Sequence, residues 1–400
     1  MPDITHGLDE HERKVLDLID IDEIVALTQR LIAAPGENPP GGEGPTAAAL
    51  AEACQDRGLH VTLDEVEPGR PNVRAVLSGG DEPGLLLLGH TDVVPAGGGW
   101  TVDPLGGLLR DGRIHGRGSA DMLGGLAACV VAIDALRRSG IRLSGGVELA
   151  AVVDEEENGI GIRHEVSTRT APEYAGCIVA EPTGLQTIIA ARGDAYLQFE
   201  VTGRAAHSGH PADGRNAIYG ATAVVADLER WHDQLAAAAH PLVGAPTWSV
   251  GQIAGGTGTS TVPAHCVITA DRRLLPAESA AEVLAAVQER VAALRLDKRD
   301  LDVSVAMTMD MPGFQTPAEH PFVETVDGAL GAAGGPRLEL AGWTAACDGG
   351  FVSRDWGVPV VVLGPGSVTT QAHRADESVG VDELHTAARA YALAALRLLR

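Results

Sequence analysis

Aromatic residues, positive charges and paired cysteines are all scarce in this 400-residue sequence. Phe, Trp and Tyr make up 3% of it, and 30 Lys and Arg stand against 54 Asp and Glu, a formal net charge of −24. This charge disfavours nucleic acid and anionic membrane surfaces as partners. The five cysteines are scattered and form no CxxC motif, which is typical of reduced thiols in a cytoplasmic protein.

Long apolar runs are missing as well. No segment approaches the ~20 apolar residues that a membrane-spanning helix requires. The first residues, MPDITHGLDEHERK, are polar and charged, unlike the apolar centre of a secretory signal. These features predict a cytoplasmic globular protein, and the length predicts two domains.

Apolar strand-like runs alternate with helical patterns in the first half of the chain. Runs at 73–77, 85–88, 147–153 and 178–180 are nearly continuous in apolar residues, and 123–138 has helical spacing. Such strands are typical of a parallel or mixed sheet covered by helices on both faces. We therefore predict an α/β fold with a central mixed sheet.

The middle of the chain has a different pattern. Half-exposed strands and helices follow one another in the order 196–202, 216–235, 247–253, 265–275, 279–294 and 301–309. This β-α-β-β-α-β order predicts a ferredoxin-like α+β domain. The first pattern then resumes, with helices predicted at 320–333 and 382–399 and a strand at 358–363. The predicted boundaries are 1–193 and 311–400 for the large domain and 194–310 for the inserted one.

Five metal-capable side chains lie at or just beyond the ends of apolar runs. They are His90, Asp121, Glu156, Glu181 and His373. Open α/β sheets collect ligand groups at the carboxyl ends of their strands. Two imidazoles and three carboxylates suit a pair of borderline divalent ions such as zinc, with one carboxylate bridging.

Three of these residues, and Glu155 beside them, have a plainer interpretation when they are taken alone. His90 could be a hydrogen-bonded histidine at a strand end, Asp121 a helix N-cap, and Glu155 and Glu156 part of a solvated acidic loop. Several carboxylates in one crevice would repel one another strongly unless cations were present. Two divalent ions remove that repulsion and lower the pKa of a bound water to ~7.

Seven motifs, in this order along the chain, carry a family resemblance. They are GHTDVVP, GRGSADMLGGLAA, DEEENG, AEPTGL, AHSG, GGTGTSTVP and GPGSVTTQAHRADE. Together they resemble the dinuclear M20 metallopeptidase and deacylase family of acetylornithine deacetylase, succinyl-diaminopimelate desuccinylase, aminoacylase-1 and glutamate carboxypeptidase. The resemblance implies a phosphorylase/hydrolase-like catalytic domain and an inserted dimerisation (lid) domain.

The resemblance also implies a role for each residue of the cluster. His90 and Glu181 would hold one ion, Glu156 and His373 the other, and Asp121 would bridge them. The ions would be zinc, with cobalt or manganese as alternatives.

Two acidic residues next to these ligands receive roles from the resemblance as well. Glu155 would take a proton from the bridging water and pass it to the leaving amine. Asp92 would orient His90. The family further implies a cis peptide bond between Asp121 and Met122.

Four more residues are implied to act on the substrate. His207 would stabilise the tetrahedral intermediate in the other subunit of a homodimer formed by the inserted domain. Arg273 would bind a substrate carboxylate as a bidentate pair. Gly366 and Ser260 would contact the substrate, although the family often has Asn at the position of Ser260. By sequence alone, a turn residue is the favoured interpretation of His207, and Arg273 could be a surface arginine.

The predicted function is metal-dependent hydrolysis of the amide bond of an N-acylated amino acid or related amine. The prediction is acetylornithine deacetylase-like or succinyl-diaminopimelate desuccinylase-like activity. The alternative within enzymes is an exopeptidase, either a carboxypeptidase or a dipeptidase. Outside enzymes, a metal-free binding protein on the same fold is one alternative, and a structural calcium protein is another that two histidine ligands disfavour.

Overall fold

The computed structural model describes residues 7–34 and 36–400 of the chain. The polar N-terminal segment named above lies partly outside these residues. Within them, the helices are α1 (Glu10–Leu16), α2 (Ile21–Ile32), α3 (Gly44–Asp56), α4 (Leu123–Ser139), α5 (Ile160–Thr168), α6 (Ala217–Leu235), α7 (Ala280–Ala293), α8 (Pro321–Ala332), α9 (Gly349–Trp356) and α10 (Val381–Leu398).

The strands of the described residues are β1 (His60–Glu67), β2 (Arg70–Leu77), β3 (Glu82–His90), β4 (Leu108–Arg110), β5 (Arg113–His115), β6 (Gly145–Val152), β7 (Tyr174–Val179), β8 (Ile188–Ala191), β9 (Gly193–Thr202), β10 (Ala206–His207), β11 (Thr247–Gly255), β12 (Thr261–Val262), β13 (His265–Leu274), β14 (Asp302–Met311), β15 (Phe314–Gln315), β16 (Ala341–Trp343), β17 (Val360–Val362) and β18 (Ser378–Gly380).

A nine-stranded mixed sheet carries most of the apolar runs. Its strand order is β1-β2-β6-β3-β7-β17-β8-β15, with β16 pairing β8. β6, β3, β7 and β17 run parallel to one another, and antiparallel strands extend the sheet on both sides. The predicted α/β fold with a central mixed sheet is confirmed. The carboxyl ends of the four parallel strands lie on one edge of the sheet.

Helix α4 is buried along nearly its whole length, because apolar or small residues occupy every side of it. It packs against α2 and α10, and α10 also packs against α8. The helix ends at Gly140, whose φ of 66° is in the left-handed region, as the sequence predicts for a C-terminal glycine. A helix buried in this way places its N-terminal end, which follows Asp121, at the edge of the sheet.

The chain divides into two compact units. One comprises the described part of Met1–Ile189 with Thr316–Ala341 and Phe351–Arg400, and the other comprises Ala190–Gln315 and Gly342–Gly350. The sequence-based boundaries at 193/194 and 310/311 stay a prediction. The boundaries of the two compact units differ from the predicted ones by a few residues at each junction. The Gly342–Gly350 segment also belongs to the second unit.

The second unit has the β-α-β-β-α-β order predicted for it. Its four-stranded antiparallel sheet has the order β11-β13-β9-β14. Alternate residues of β9, such as Leu197, Phe199 and Val201, are buried in a core with residues of α6 and α7. The two helices therefore cover one face of the sheet, which follows from the period-two alternation of its strands.

The sequence patterns missed several short or polar elements. β1 alternates polar and partly buried residues at the sheet edge, and α5 is nine residues long without a side-chain cap. The small sheet β18-β5-β4 is built from three-residue strands. None of these segments has a long apolar period. No helix within the described residues has the length and apolar character needed to span a bilayer.

Candidate metal centre and active site

His90 is the last residue of β3 and is fully buried. Its Nδ1 lies 2.9 Å from the backbone oxygen of Asp92 and 3.4 Å from the Asp92 carboxylate, so the backbone oxygen is the nearer partner. A hydrogen bond at Nδ1 leaves Nε2 as the free lone pair of a neutral ring. Nε2 is buried and makes no hydrogen bond. It faces Asp121, at 3.4 Å, and Glu181, at 3.3 Å.

Asp121 lies between the two histidines. Its Oδ1 is 3.4 Å from Nε2 of His90, and its Oδ2 is 3.5 Å from Nε2 of His373. The interpretation of Asp121 as a helix N-cap is wrong, because Met122 occupies that position and no side chain caps α4. The peptide bond between Asp121 and Met122 is cis, as the resemblance implied.

Three glutamates complete the cluster from the ends of β6 and β7. Glu181 follows β7 and faces His90, while Glu156 follows β6 and lies 3.0 Å from Nε2 of His373. Glu155 lies on the His90 side, with its carboxylate 4.0 Å from Nε2. The solvated-loop interpretation is wrong for Glu155 and Glu156, whose side chains are only 13% and 7% exposed, but it fits the exposed Glu157.

His373 comes from the loop after β17 and leaves one side of the cluster open. Its side chain is 52% exposed, whereas the other imidazole is fully buried. Its φ of 61° is in the left-handed region, which a non-glycine residue adopts rarely and which recurs at functional sites. Solvent or a substrate can therefore reach the cluster from the His373 side.

The charges of the cluster shift its pKa values in opposite directions. Burial and the negative charge of Asp121 raise the pKa of Glu181 to about 7, and the same two causes raise that of Glu156. Hydrogen bonds that the His373 ring donates to Asp121 and Glu156 raise its pKa to about 10. Burial opposes the ionised form of Asp121, yet His373 and His90 hold its pKa well below the usual range. The ionised form of each carboxylate in this cluster is thus disfavoured by its acidic neighbours and favoured by positive charge beside it.

Asp92 and Asp154 support the loop after β6. The Asp92 carboxylate accepts from the backbone N–H of Glu155, at 3.2 Å, and of Glu156, at 3.1 Å. Asn38 donates to Asp92, at 3.1 Å, and to Asp154, at 2.9 Å. These bonds fix the two consecutive glutamates, whose side chains diverge to the two histidines.

Asp154 is itself held by a buried ion pair. Arg70 donates to Asp154 over 2.7 Å and to the fully buried Glu43 over 2.5 Å. Burial opposes the charged forms, but the two carboxylates and the guanidinium compensate one another. The arginine therefore holds Asp154 in place through the same oxygen that accepts from Asn38.

The donor set fits divalent cations. His90, Asp121 and Glu156 offer ligand atoms within 4.8 Å of one another, and so do His90, Glu155 and Glu181. Nε2 of His90 is buried and has no hydrogen-bond partner among the described residues. It is therefore available as a ligand atom for a cation. Imidazole nitrogen with carboxylate oxygen is a donor set that zinc and similar ions accept.

Gly366 lies beside the Asp121 loop. Its φ is 84°, and its backbone oxygen accepts from the N–H of Gly184 over 2.6 Å. A Cβ at this position would lie 3.2 Å from the Cα of Ala120, so a larger residue would press on the loop. The structure thus places Gly366 next to the cluster, and its contact with a substrate stays a prediction.

His207 and Ser260 are neighbours in the second unit. Both are exposed, and the backbone oxygen of Ser260 accepts from the N–H of Ser208 over 2.9 Å. Nδ1 of His207 accepts from the N–H of Gly209 over 3.0 Å, which leaves Nε2 directed away from this turn. The roles of the two residues stay predictions.

Arg273, also in the second unit, is engaged by two carboxylates. Asp271 accepts from its Nε at 3.1 Å and its Nη2 at 2.8 Å, and Asp194 lies 3.0 Å from Nη2. Arg272 points to the opposite face of the sheet, where it is fully buried and paired with Glu278. Of the guanidinium nitrogens of Arg273, Nη1 is the one outside these bonds.

A family model for peptidase family M20/M25/M40 matches residues 86–397. The chain belongs to this peptidase family. The resemblance seen in the seven motifs is thereby confirmed, and with it the prediction of a metal-dependent hydrolase that acts on amide or peptide bonds. The matched residues include every member of the His90–His373 cluster.

Several solved peptidase structures share the fold. The aminopeptidase PepT of Bacillus cereus superposes with a TM-score of 0.76 at 22% identity, covering 94% of this chain and 98% of that one. Human carnosine dipeptidase 1 gives 0.72 at 18%, covering 97% and 99%. The YXEP protein of Bacillus subtilis, described as a dinuclear metal binding peptidase from the M20 family, gives 0.72 at 12%, covering 95% and 98%.

Several residues that support the M20 cluster were not predicted from the sequence. Asn38, Arg70, Arg117 and Glu377 have no period or strand-end position that marks them. Arg117 and Glu377 stand inside two of the motifs, GRGSAD and HRADE, where they accompany Asp121 and His373. Asn38 and Arg70 could have been recognised only from their buried contacts, which a single sequence does not reveal.

Proposed function

We propose that the chain holds two divalent cations and hydrolyses the amide bond of a short substrate that ends in a free carboxylate. The observation that carries the proposal is the position of Asp121, with one oxygen toward each histidine. In this proposal Asp121 would be shared by the two cations. His90 and Glu181 would hold one of them, and Glu156 and His373 would hold the other.

The proposed reaction relies on Glu155 for proton transfer. Bound cations would supply a water of lowered pKa and would polarise the substrate carbonyl. Glu155 is suited to hold and move the proton because its carboxylate reaches the His90 side of the cluster and stays partly exposed. Its backbone N–H is fixed by Asp92, so its Oε atoms can move only by side-chain rotation.

Arg273 is proposed to bind the substrate carboxylate. Asp271 and Asp194 already occupy its Nε and Nη2. Arg273 would therefore contact the substrate carboxylate through Nη1 alone, unless the substrate displaces one of the two aspartates. Ser260 and Gly366 are proposed as further substrate contacts, and the shorter Ser260 would reach less far than the Asn found in many relatives.

Within this reaction class, two kinds of substrate remain. Short peptides are favoured by the family and by structural neighbours such as an aminopeptidase and a dipeptidase. N-acylated amino acids, as acetylornithine deacetylase or succinyl-diaminopimelate desuccinylase would use, are the substrates predicted from the motifs. Both have the same amide bond and free carboxylate, so the cluster around Asp121 serves either.

The second unit is proposed to form a homodimer, and the protein is proposed to act in the cytoplasm. β11 is an edge strand of the four-stranded sheet, and residues 251–260 are exposed. Exposed edge strands pair readily with another chain. In such a dimer His207, with its free Nε2, would act in the partner's active site.

The experiment is metal analysis followed by a substrate panel. We expect about two zinc, cobalt or manganese ions per chain after purification without chelators. Dipeptides, tripeptides and N-acetyl, N-succinyl and N-formyl amino acids would then be compared by kcat/KM, each beside its C-terminal amide. Less than one ion per chain and no turnover with any added ion would instead favour a metal-free binding protein. Equal turnover of the amides would refute the carboxylate requirement.

A further inference from the structure

Glu377 ties the loop that carries His373 to the loop that carries Asp121. Its side chain is fully buried, four residues after His373. One carboxylate oxygen accepts from the backbone N–H of Ala120, at 2.8 Å, and of Asp121, at 3.0 Å. The other accepts from the N–H of Gly118, at 3.2 Å. The backbone oxygen of Glu377 accepts in addition from the N–H of Gly116, at 2.9 Å.

Arg117 completes this arrangement from within the same loop. Its Nη1 donates to Glu377 over 2.5 Å, and its guanidinium lies 5.3 Å from the ring centre of Trp100. The arginine is 3% exposed, so the two charges are buried together. A buried ion pair of this kind is retained only when further hydrogen bonds satisfy the carboxylate, as they do here.

A second carboxylate of the His373 loop makes an independent contact. Asp376 accepts from the N–H of Thr101, at 2.8 Å, and from its hydroxyl, at 3.0 Å. This contact leads to a different loop and does not touch residues 116–121. Variants of these two neighbouring acids can therefore be compared, to distinguish a role in fixing Asp121 from a general role in holding the His373 loop.

We propose that Glu377 is a positioning residue that sets the place of Asp121 relative to His373, and thereby the separation of the two cation positions. The inference rests on the proposed function, because it assumes that these two residues bind cations. Its basis is geometric: the N–H of Asp121 itself is bound by Glu377, and the carboxylate of Asp121 lies 3.5 Å from His373.

The role requires a carboxylate and not merely a side chain of this shape. In Glu377→Gln one oxygen would still accept from two N–H groups. The new NH2 group would face the donors of Gly118 and Arg117, and donors facing donors leave buried groups unsatisfied. The loop would shift, and Asp121 would shift with it.

The test uses the full-length protein loaded with cobalt(II). The variants are Glu377→Gln and Glu377→Asp, with Asp376→Asn as the matched control. Circular dichroism at 25 °C confirms the folded state, a chromophoric chelator gives the affinity for each ion, and the visible absorption spectrum reports the coordination geometry. We expect Glu377→Gln to weaken the binding of at least one ion about 10- to 100-fold, as for other residues that orient ligands, and to alter the spectrum. Asp376→Asn should keep both wild-type values.

Glu377→Asp keeps the ion pair with Arg117 but is one methylene shorter. We expect it to change the cobalt spectrum in the same direction and to weaken binding less. It also provides the answer if Glu377→Gln does not fold. Folded variants at position 377 with wild-type affinity and spectrum would overturn the inference, whatever their melting temperature, because Glu377 would then only stabilise the fold. If the proposed function itself is wrong, the wild-type protein fails to bind two ions, which is a different result.

Discussion

The carboxylate of Asp92 accepts a hydrogen bond from the backbone N–H of Glu156, with 3.1 Å between the nitrogen and Oδ2. The same carboxylate accepts from the N–H of Glu155, while His90 is oriented mainly by the backbone oxygen of Asp92. The side chain of Asp92 therefore serves the loop after β6 more directly than it serves the imidazole.

Replacing the Asp92 carboxylate with an amide should misplace Glu155. In Asp92→Asn the remaining oxygen would still accept from Asn38 and Glu156, but the new NH2 group in place of Oδ1 would oppose the N–H donor of Glu155. The backbone oxygen would still hold His90. We expect kcat to fall about 10- to 100-fold, with bound metal retained. Steady-state kinetics and metal analysis of one preparation measure both. Loss of all metal would show instead that the side chain is needed to hold His90.

Glu155→Gln removes the group proposed to carry the proton. Its size is unchanged, and the predicted ligands stay in place, so two ions should still bind. We expect kcat to fall about 10²- to 10⁴-fold, the usual contribution of general acid–base catalysis. The control is Glu157→Gln, because Glu157 is exposed on the same loop. A kcat within threefold of the wild type would contradict the assigned role.

Chelation should destabilise the protein. A ligand present at 100 times its Kd stabilises the folded state by about 2.7 kcal/mol, and here it also relieves the repulsion among buried carboxylates. We expect EDTA to lower the Tm of the wild-type protein by several degrees. Asp121→Ala should show little response to EDTA, since both proposed cation positions would share that residue. An equal response in the two proteins would mean that the stabilising ions bind elsewhere.

Asp194 should make the stability of the second unit depend on pH. Burial raises its pKa to about 7, against an ordinary value of 3.8, even though Arg273 opposes the shift. Between these values the folded protein keeps a proton that the unfolded chain releases, so the free energy of unfolding falls as the pH rises.

The variant Asp194→Asn has no such proton. One pKa unit corresponds to about 1.4 kcal/mol, so its free energy of unfolding relative to wild type should rise by about 2–3 kcal/mol between pH 5 and pH 8. Denaturant unfolding at the two pH values measures this. The control Asp302→Asn, an exposed residue of the same sheet, should show no comparable change. A parallel pH response of wild type and Asp194→Asn would refute the prediction.

His207→Ala should fold and dimerise but be severely impaired if the histidine acts across a dimer. Mixing it with Glu155→Gln would then create heterodimers in which one active site has both an intact glutamate and an intact partner histidine. We expect part of the wild-type activity to return. No recovery in heterodimers verified by differential tags would argue that His207 acts within its own chain or not at all.

The cluster could be predicted from the sequence because its members follow the most regular part of the fold. His90 ends a strand that is largely apolar, and Glu156 and Glu181 each follow one; such strands are buried and parallel. The carboxyl ends of parallel strands meet at one edge, so position along the chain indicates position in space. His373 and Asp121 are less regular, and their assignment depended on the order of the motifs.

The supporting residues could not be predicted in this way. Asn38 meets Asp92 and Asp154, which are 54 and 116 residues away along the chain, and Glu377 meets the Asp121 loop from more than 250 residues away. Contacts of this kind leave no periodicity in one sequence. The interpretation of Asp121 as a possible helix cap failed for a related reason, since local propensity cannot anticipate a competing partner such as His373.

Strand β3 is hydrogen-bonded on both sides, with His90 opposite Val152 of β6 and Leu88 opposite Val179 of β7. Sliding β3 forward by two residues would keep every leucine on its present face, but Leu87 would take the place of Gly89, where even a Cβ would lie 2.3 Å from Cε of Met122. The slip would also move the imidazole about 6.6 Å along the strand, away from both of its acidic neighbours. Gly89 thus makes the packed interior and the imidazole depend on the same register, so a slip that disabled the site would also lower the stability of the fold.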